Sequence, residues 1–149
     1  GDVTRHPQGR VVSIAFYALL RLGGDKAVKP ISTYAKRAHW INVKDLPRLA
    51  FDHQQIFDKG LEKIKRRIKH QPIAFELLPE KFTLTQLQNV YEIILNKKLD
   101  KRNFRKKMLS FGVLRDLQEK QQGVSFRAAT LYKFDKRKYA KLFEKEISF

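Results

Sequence analysis

The sequence predicts an α+β chain: a sheet-and-helix segment followed by a helix-helix-hairpin-helix arrangement. Three observations lead there. Residues 82–112 hold two short amphipathic stretches separated by a polar break. Two strand-like runs around a polar tract come next, and an apolar run rich in β-formers, Val11–Leu20, lies ahead of both.

Gly1–Arg10 is polar and turn-rich, a loop entering a strand. Val11–Leu20 (VVSIAFYALL) is nearly unbroken apolar sequence, which suits a strand covered on both faces or the centre of a mixed sheet. Such a strand needs sheet neighbours, and only Lys26–Ile31 and Ala38–Val43 are candidates before residue 80, so either a partner chain or a missing N-terminal half is expected to cover it. Trp40 reads as core before it reads as a stacking platform. Turn chemistry follows at Asn42–Pro47, with Leu46 held extended by the proline after it.

A helix then opens at Phe51-Asp52-His53 and runs to about Lys69, with Asp52 as a candidate cap. Phe57, Leu61, Ile64 and Ile68 form its apolar stripe, and Lys59, Lys63, Lys65, Arg66, Arg67 and Lys69 its outer face. Gly60, costly inside a helix, suggests close packing there. Gln71-Pro72 ends the helix, and Ile73–Lys81 is apolar enough to be a docked connector.

Thr83 caps the next helix, with Gln86 placed to close a capping box. Leu84, Leu87, Val90, Tyr91, Ile94 and Leu95 give it one apolar stripe. Asn96-Lys97-Lys98 breaks the pattern, Asp100 caps a second helix over Lys101–Ser110, and Gly112 is the left-handed stop. Phe104, Met108 and Leu109 are assigned to its inner face. Lys101, Arg102, Asn103, Arg105, Lys106 and Lys107 remain outside. Val113–Leu117 and Arg127–Phe134 then flank the polar tract Gln118–Ser125 as a hairpin. Asp135 caps a last helix, Lys136–Glu146, in which Tyr139, Leu142 and Phe143 pack back. This is a winged helix-turn-helix in outline.

Charge turns the outline toward function. The 149 residues carry 32 basic and 15 acidic side chains, a net +17. That excess suits a nucleic-acid binder better than an enzyme of small neutral substrates. Residues 1–72 hold 15 basic and 6 acidic side chains and residues 73–149 hold 17 and 9, so charge alone does not locate the binding face. The second helix does, because five of the residues 101–107 are basic. A merely solvated face mixes its signs, whereas phosphates need cations and base edges need Arg or Asn. Candidate DNA contacts are therefore Lys101, Arg102, Asn103, Arg105, Lys106 and Lys107. Thr83, Thr85 and Gln86 join them from the helix before, and Lys120, Gln121, Gln122 and Arg127 from the wing.

Other chemistry is poorly supported. There is no cysteine, so no disulfide or thiolate site. His6, His39, His53 and His70 are scattered without ligand spacing. Ser13 and Ser32 have no neighbouring base, no catalytic residue or cofactor is assigned, and no apolar run reaches membrane-spanning length. Arg5 and Arg10, around His6-Pro7-Gln8-Gly9, can clamp a phosphate or sugar or can be surface charge. His53 can bond a small effector or its own backbone. Interleaved aromatics for stacking single-stranded RNA are lacking.

Phe75–Leu109 (FELLPEKFTLTQLQNVYEIILNKKLDKRNFRKKML), with its DKRNFRKK octet at Asp100–Lys107, resembles the DNA-binding domain of the Nudix-related transcriptional regulators. Arg10–Leu20 and Ala38–Ile64, with the spacing Trp40, Leu46-Pro47 and Phe51-Asp52-His53, are similar to the second half of the Nudix domain that precedes it there. The resemblance covers nearly the whole chain. It implies a partial Nudix-like effector domain over 1–72 and a winged helix-turn-helix over 73–149. It also implies a cytoplasmic, nucleoid-associated bacterial regulator that dimerises through the Nudix-like part. The implied partners are an operator duplex and an effector, either an ADP-ribose-type nucleotide or, in a Bacteroidetes branch, a sugar such as L-arabinose. The wording of the sequence is nearer that second branch.

The R-E-x-x-E-E carboxylate cluster of a Nudix box is not found, since Glu62 stands among lysines and Glu76 and Glu80 lie in the connector. Hydrolysis by this polypeptide is therefore not expected, and the chain is expected to be part of a longer protein whose preceding half supplies the missing sheet neighbours. The alternative is a Nudix-type hydrolase of ADP-ribose or a related nucleotide sugar, carrying a basic accessory domain.

Overall fold

A computed structural model describes residues 9, 12–21, 38–123 and 128–147, the side chains from 143 onward excepted. Its internal contacts divide the chain into two units, Gly1–Lys63 and Ile64–Phe149.

In the first unit the expected strand is not formed. Among the described residues, 12–20 belong to no sheet, and Val12, Ile14, Phe16 and Leu20 are exposed, Phe16 at 90%. Ala38–Val43 forms no strand either, and Trp40, assigned to a core, is exposed. Lys26–Ile31 lies outside the described residues. The physical reason is that an apolar run encodes a need for cover without supplying it. A strand exists only when a second backbone completes its ladder.

The turn chemistry at Asn42 does hold. Its side-chain oxygen accepts the Lys44 N–H at 3.0 Å and starts a 3₁₀ turn at Val43–Asp45, with Leu46 extended before Pro47. Helix α1 follows at His53–His70. Phe57, Leu61 and Ile64 are half-buried and Ile68 is buried, as the 3.6-residue period requires. Gly60 departs from expectation: a Cβ built there would meet nothing within 4 Å, so close packing does not explain it.

The second unit is built on one core of Ile68, Ile73, Ala74, Leu78, Phe82, Leu84, Leu87, Phe104 and Met108. The connector is not plain coil. Ile73–Glu76 makes one helical turn, α2, that buries Ile73 and Ala74. Phe82–Thr83 forms a two-residue strand, β1, and α3 starts at once, over Leu84–Leu95. An N-cap residue needs the same extended backbone as a strand, so Thr83 serves as both. Phe82, Leu84 and Leu87 are almost wholly enclosed, each worth about 1.5–3 kcal/mol of transfer free energy.

Helix α4 is Lys101–Ser110, and Gly112 follows at φ +66 as the left-handed stop. Strands β2 (Leu114–Lys120) and β3 (Thr130–Phe134) make the hairpin, and β3 lies between β1 and β2, antiparallel to both. The last helix, α5, is Lys136–Ile147, capped by Asp135, whose Oδ1 accepts the Lys138 N–H at 3.0 Å. Tyr139 packs on Phe134, but Leu142 is exposed, and the Phe143 side chain lies outside the described residues. An exposed Leu142 narrows the apolar face of α5 to less than the sequence suggested.

Candidate nucleic-acid interface

Helix α4 is placed by its two ends and one face. At its start Asp100 Oδ1 accepts the Asn103 N–H at 2.8 Å. At its middle Phe104 and Met108 are buried, with the Phe104 ring edge-on to Tyr91 at 5.4 Å between centroids. Leu109, expected inside, is 46% exposed. Residues four apart share a helical face, so the pair 104 and 108 rotates 109 away from it.

Burying that face leaves the cations outside. Lys101, Arg102, Asn103, Lys106 and Lys107 are exposed and Arg105 is half-buried. Among the described residues, none of the five basic side chains of α4 takes part in an ion pair. The helix carries no acid between residues 101 and 110 to offset them. Lys97 is exposed in the turn just before, extending the cationic strip. Sequence reading passed over it because Asn96-Lys97-Lys98 registers first as a helix break. The break itself is Asn96, left-handed at φ 51, a conformation that Asn tolerates better than most residues.

The start of α3 adds less than the sequence suggested. Thr83 is 3% exposed, and its hydroxyl accepts the Gln86 N–H at 3.1 Å while the Gln86 side-chain oxygen accepts the Thr83 N–H at 2.8 Å. This capping box consumes the Thr83 hydroxyl and takes Thr83 out of the surface. Thr85 is exposed, and Gln86 is half-buried with its NH₂ group outside the box.

The hairpin begins later than expected. Gln118–Lys120, assigned to the loop, belong to β2, because a register shift between Asp116 and Lys120 absorbs them. Gln118 sits at φ 55, and its N–H donates to Asp116 Oδ1 at 2.7 Å. The Gln121 N–H reaches the Ala129 carbonyl at 2.9 Å and closes the described part of the loop. Lys120 is exposed with its Nζ 2.8 Å from Thr130 Oγ1, Gln122 is exposed, and Gln121 is half-buried. Lys120 keeps further N–H donors for a phosphate. Arg127 lies outside the described residues.

The wing is tied to the connector by Lys81–Glu119, 2.6 Å, and by Lys133–Glu80. Lys133 holds the Glu80 carboxyl below the usual range, and the Lys138 N–H does the same for Asp135. Both ion pairs are solvent-exposed, so water screens them and they add little to stability.

Of the residues assigned to an effector, Arg5 and Arg10 lie outside the described residues. His53 is exposed at the start of α1, its ring 6.1 Å from that of Phe51. Among the described residues there is no cluster of metal-ligating side chains, and no helix is long and apolar enough to cross a membrane.

Comparison with known proteins agrees with this geometry. The profile of the family described as "NrtR DNA-binding winged helix domain" matches residues 74–134. The chain is 30% identical over 136 residues, 90% of its length, to the "ADPR responsive transcriptional repressor NtrR" of Acinetobacter baylyi. It spans 53% of that relative, about half. NrtR of Shewanella oneidensis in complex with a 27mer DNA is 28% identical, with a TM-score of 0.48 over 62% of this chain and 42% of that one. A MutT/nudix family protein of Enterococcus faecalis is 27% identical, with a TM-score of 0.43 over 58% and 31%. Residues 74–134 of the chain are thus similar to the NrtR DNA-binding winged helix domain, and 90% of the chain is similar to part of the repressor NtrR.

Proposed function

We propose that the chain is the DNA-binding part of an effector-controlled transcriptional regulator, with a non-catalytic Nudix-like segment over 1–72 and the winged helix over 73–149. The observation that carries this is α4, a capped helix whose one buried face leaves four cations exposed and a fifth, Arg105, half-buried, on a winged helix that matches a DNA-binding family. In this reading α4 enters the major groove. Arg102, Asn103 and Arg105 meet base edges, and Lys101, Lys106 and Lys107 meet phosphates. Thr85, Gln86, Lys120, Gln122 and Arg127 add backbone contacts from the flanks.

The effector is an ADP-ribose-type nucleotide rather than L-arabinose, because the matched relative is described as ADPR responsive. Arg5, Arg10 and His53 are its candidate contacts. The regulator works as a cytoplasmic homodimer joined through the Nudix-like part. Ligand changes the spacing of two winged helices and so lowers operator affinity without being hydrolysed.

Enrichment of a random duplex library on the protein, followed by titration with ADP-ribose or L-arabinose, tests the reading. A shared motif with two half-sites, released by ADP-ribose, is expected. Failure to enrich any motif, or turnover of ADP-ribose in the presence of Mg²⁺, overturns it.

A further inference from the structure

Between α3 and α4 lie only Asn96, Lys97, Lys98, Leu99 and Asp100. Leu99 alone among them packs on the core, and it does so half-buried. Polar contacts from α3 do the rest. Glu92 Oε1 accepts the Leu99 N–H at 2.9 Å and the Gln88 Nε2 at 3.0 Å, and Oε2 accepts Lys98 Nζ at 3.0 Å. Gln88, buried, spends its second N–H on the Leu99 carbonyl at 2.9 Å. Both backbone groups of Leu99 are therefore tied to side chains one turn apart on α3.

A carboxylate here is otherwise disfavoured twice. It stands in the last turn of α3, where the helix already ends in partial negative charge. It also adjoins the strip that faces an anionic partner. Its side chain is only 11% exposed, whereas that of Lys98 is 95% exposed, so the ion pair is the loosest of its contacts. The Leu99 N–H first, then Gln88 and Lys98, hold the Glu92 carboxyl at about 2, so it remains ionised in ordinary buffers.

We propose that Glu92, seconded by Gln88, is a positioning residue: it holds Leu99 and thereby sets the angle at which α4 is offered to DNA. The inference rests on the DNA-binding reading for its affinity measurement and on geometry alone for its exchange measurement.

Glu92→Ala and Glu92→Gln in the full chain separate the hydrogen bonds from the charge. Both remove one negative charge and so gain equally toward a duplex, but the Gln side-chain oxygen can still accept from Leu99 and Gln88. On the duplex enriched by the unsubstituted chain, at a temperature where every variant is folded by circular dichroism, Glu92→Ala should bind about tenfold more weakly than Glu92→Gln. In parallel its Leu99 amide should exchange about tenfold faster. Lys98→Ala should leave Leu99 exchange within about twofold. Ile68→Val, which thins the core in α1, should lower stability and keep affinity.

Equal binding and equal Leu99 exchange for the two Glu92 variants overturn the proposal. So does an affinity loss for Ile68→Val as large as that for Glu92→Ala, because the effect is then general loosening. An unsubstituted chain that enriches no duplex removes the regulator reading and with it the purpose given to Glu92. One that binds while both Glu92 variants bind alike removes only the role of Glu92.

Discussion

Phe75 and Phe134 stack with ring centroids 4.1 Å apart and planes 5° from parallel. One comes from a single helical turn in the connector and the other from the end of the wing. Phe134 also meets Tyr139 of α5 at 5.6 Å, so this contact joins the connector to two elements that come much later in the sequence.

Phe75→Ala should therefore destabilise the second unit by about 2–4 kcal/mol, toward the lower end for a ring that is only partly buried. Phe75→Leu should recover part of the loss by refilling the space without the ring–ring term. Urea unfolding followed by circular dichroism measures both. A loss below about 0.5 kcal/mol for Phe75→Ala would mean that the stacked pair holds nothing together.

Gly60→Ala tests the opposite case. A methyl group meets nothing there, and Ala is favoured over Gly within a helix by about 1 kcal/mol. The substitution should raise the melting temperature. A fall would show that the glycine serves a contact not apparent in the geometry.

Acid should unfasten the turn ahead of α4. The folded Glu92 carboxyl lies near 2 against an ordinary 4.5, a depressed value. Its stabilising contribution is thus complete above about 4.5 and is lost as pH falls through the interval toward 2. Glu80 and Asp135 are lowered as well and act in the same direction. Urea midpoints collected from pH 2 to 7 should decline on the acid side, and Glu92→Gln should shallow that decline. An acid limb of unchanged depth in the variant would contradict the assignment.

How much of this was legible in the residues follows from how local each signal is. Thr83 with Gln86 and Asp100 with Asn103 lie within four positions of each other, so the starts of α3 and α4 could be read directly. Gly112 marked the stop of α4 equally well. β1 could not be read, because its two residues are a strand only through Leu131 and Tyr132, about fifty positions away. The α2 turn was hidden in nine residues that look merely apolar. Val11–Leu20 shows the converse failure, since hydrophobicity states that cover is needed and is silent on what provides it. At the candidate site the outward cations of α4 were legible by subtraction from the buried face. Leu109 and Thr83 were misjudged because composition does not reveal the rotation of a helix or a hydroxyl already engaged. Glu92 drew no assignment from the sequence, because only the folded turn brings the Leu99 N–H, Gln88 and Lys98 to its oxygens.

Phosphate contacts should show themselves in salt. Lys106→Ala and Lys120→Ala should weaken every duplex alike and each reduce the slope of log affinity against log salt by about 1. Filter-binding between low and physiological salt measures it. A preference lost on one duplex and kept on another would move the residue from phosphate to base contact.

Arg102→Ala and Arg105→Ala bear on the central claim most directly, that α4 reads a double helix with its outward face. Fluorescence-anisotropy titrations should be run on the enriched duplex and on a scrambled one of equal length. At least one variant should lose about 1–3 kcal/mol on the enriched duplex and far less on the scrambled one. Equal losses on both duplexes for both variants, or none on either, would contradict the account.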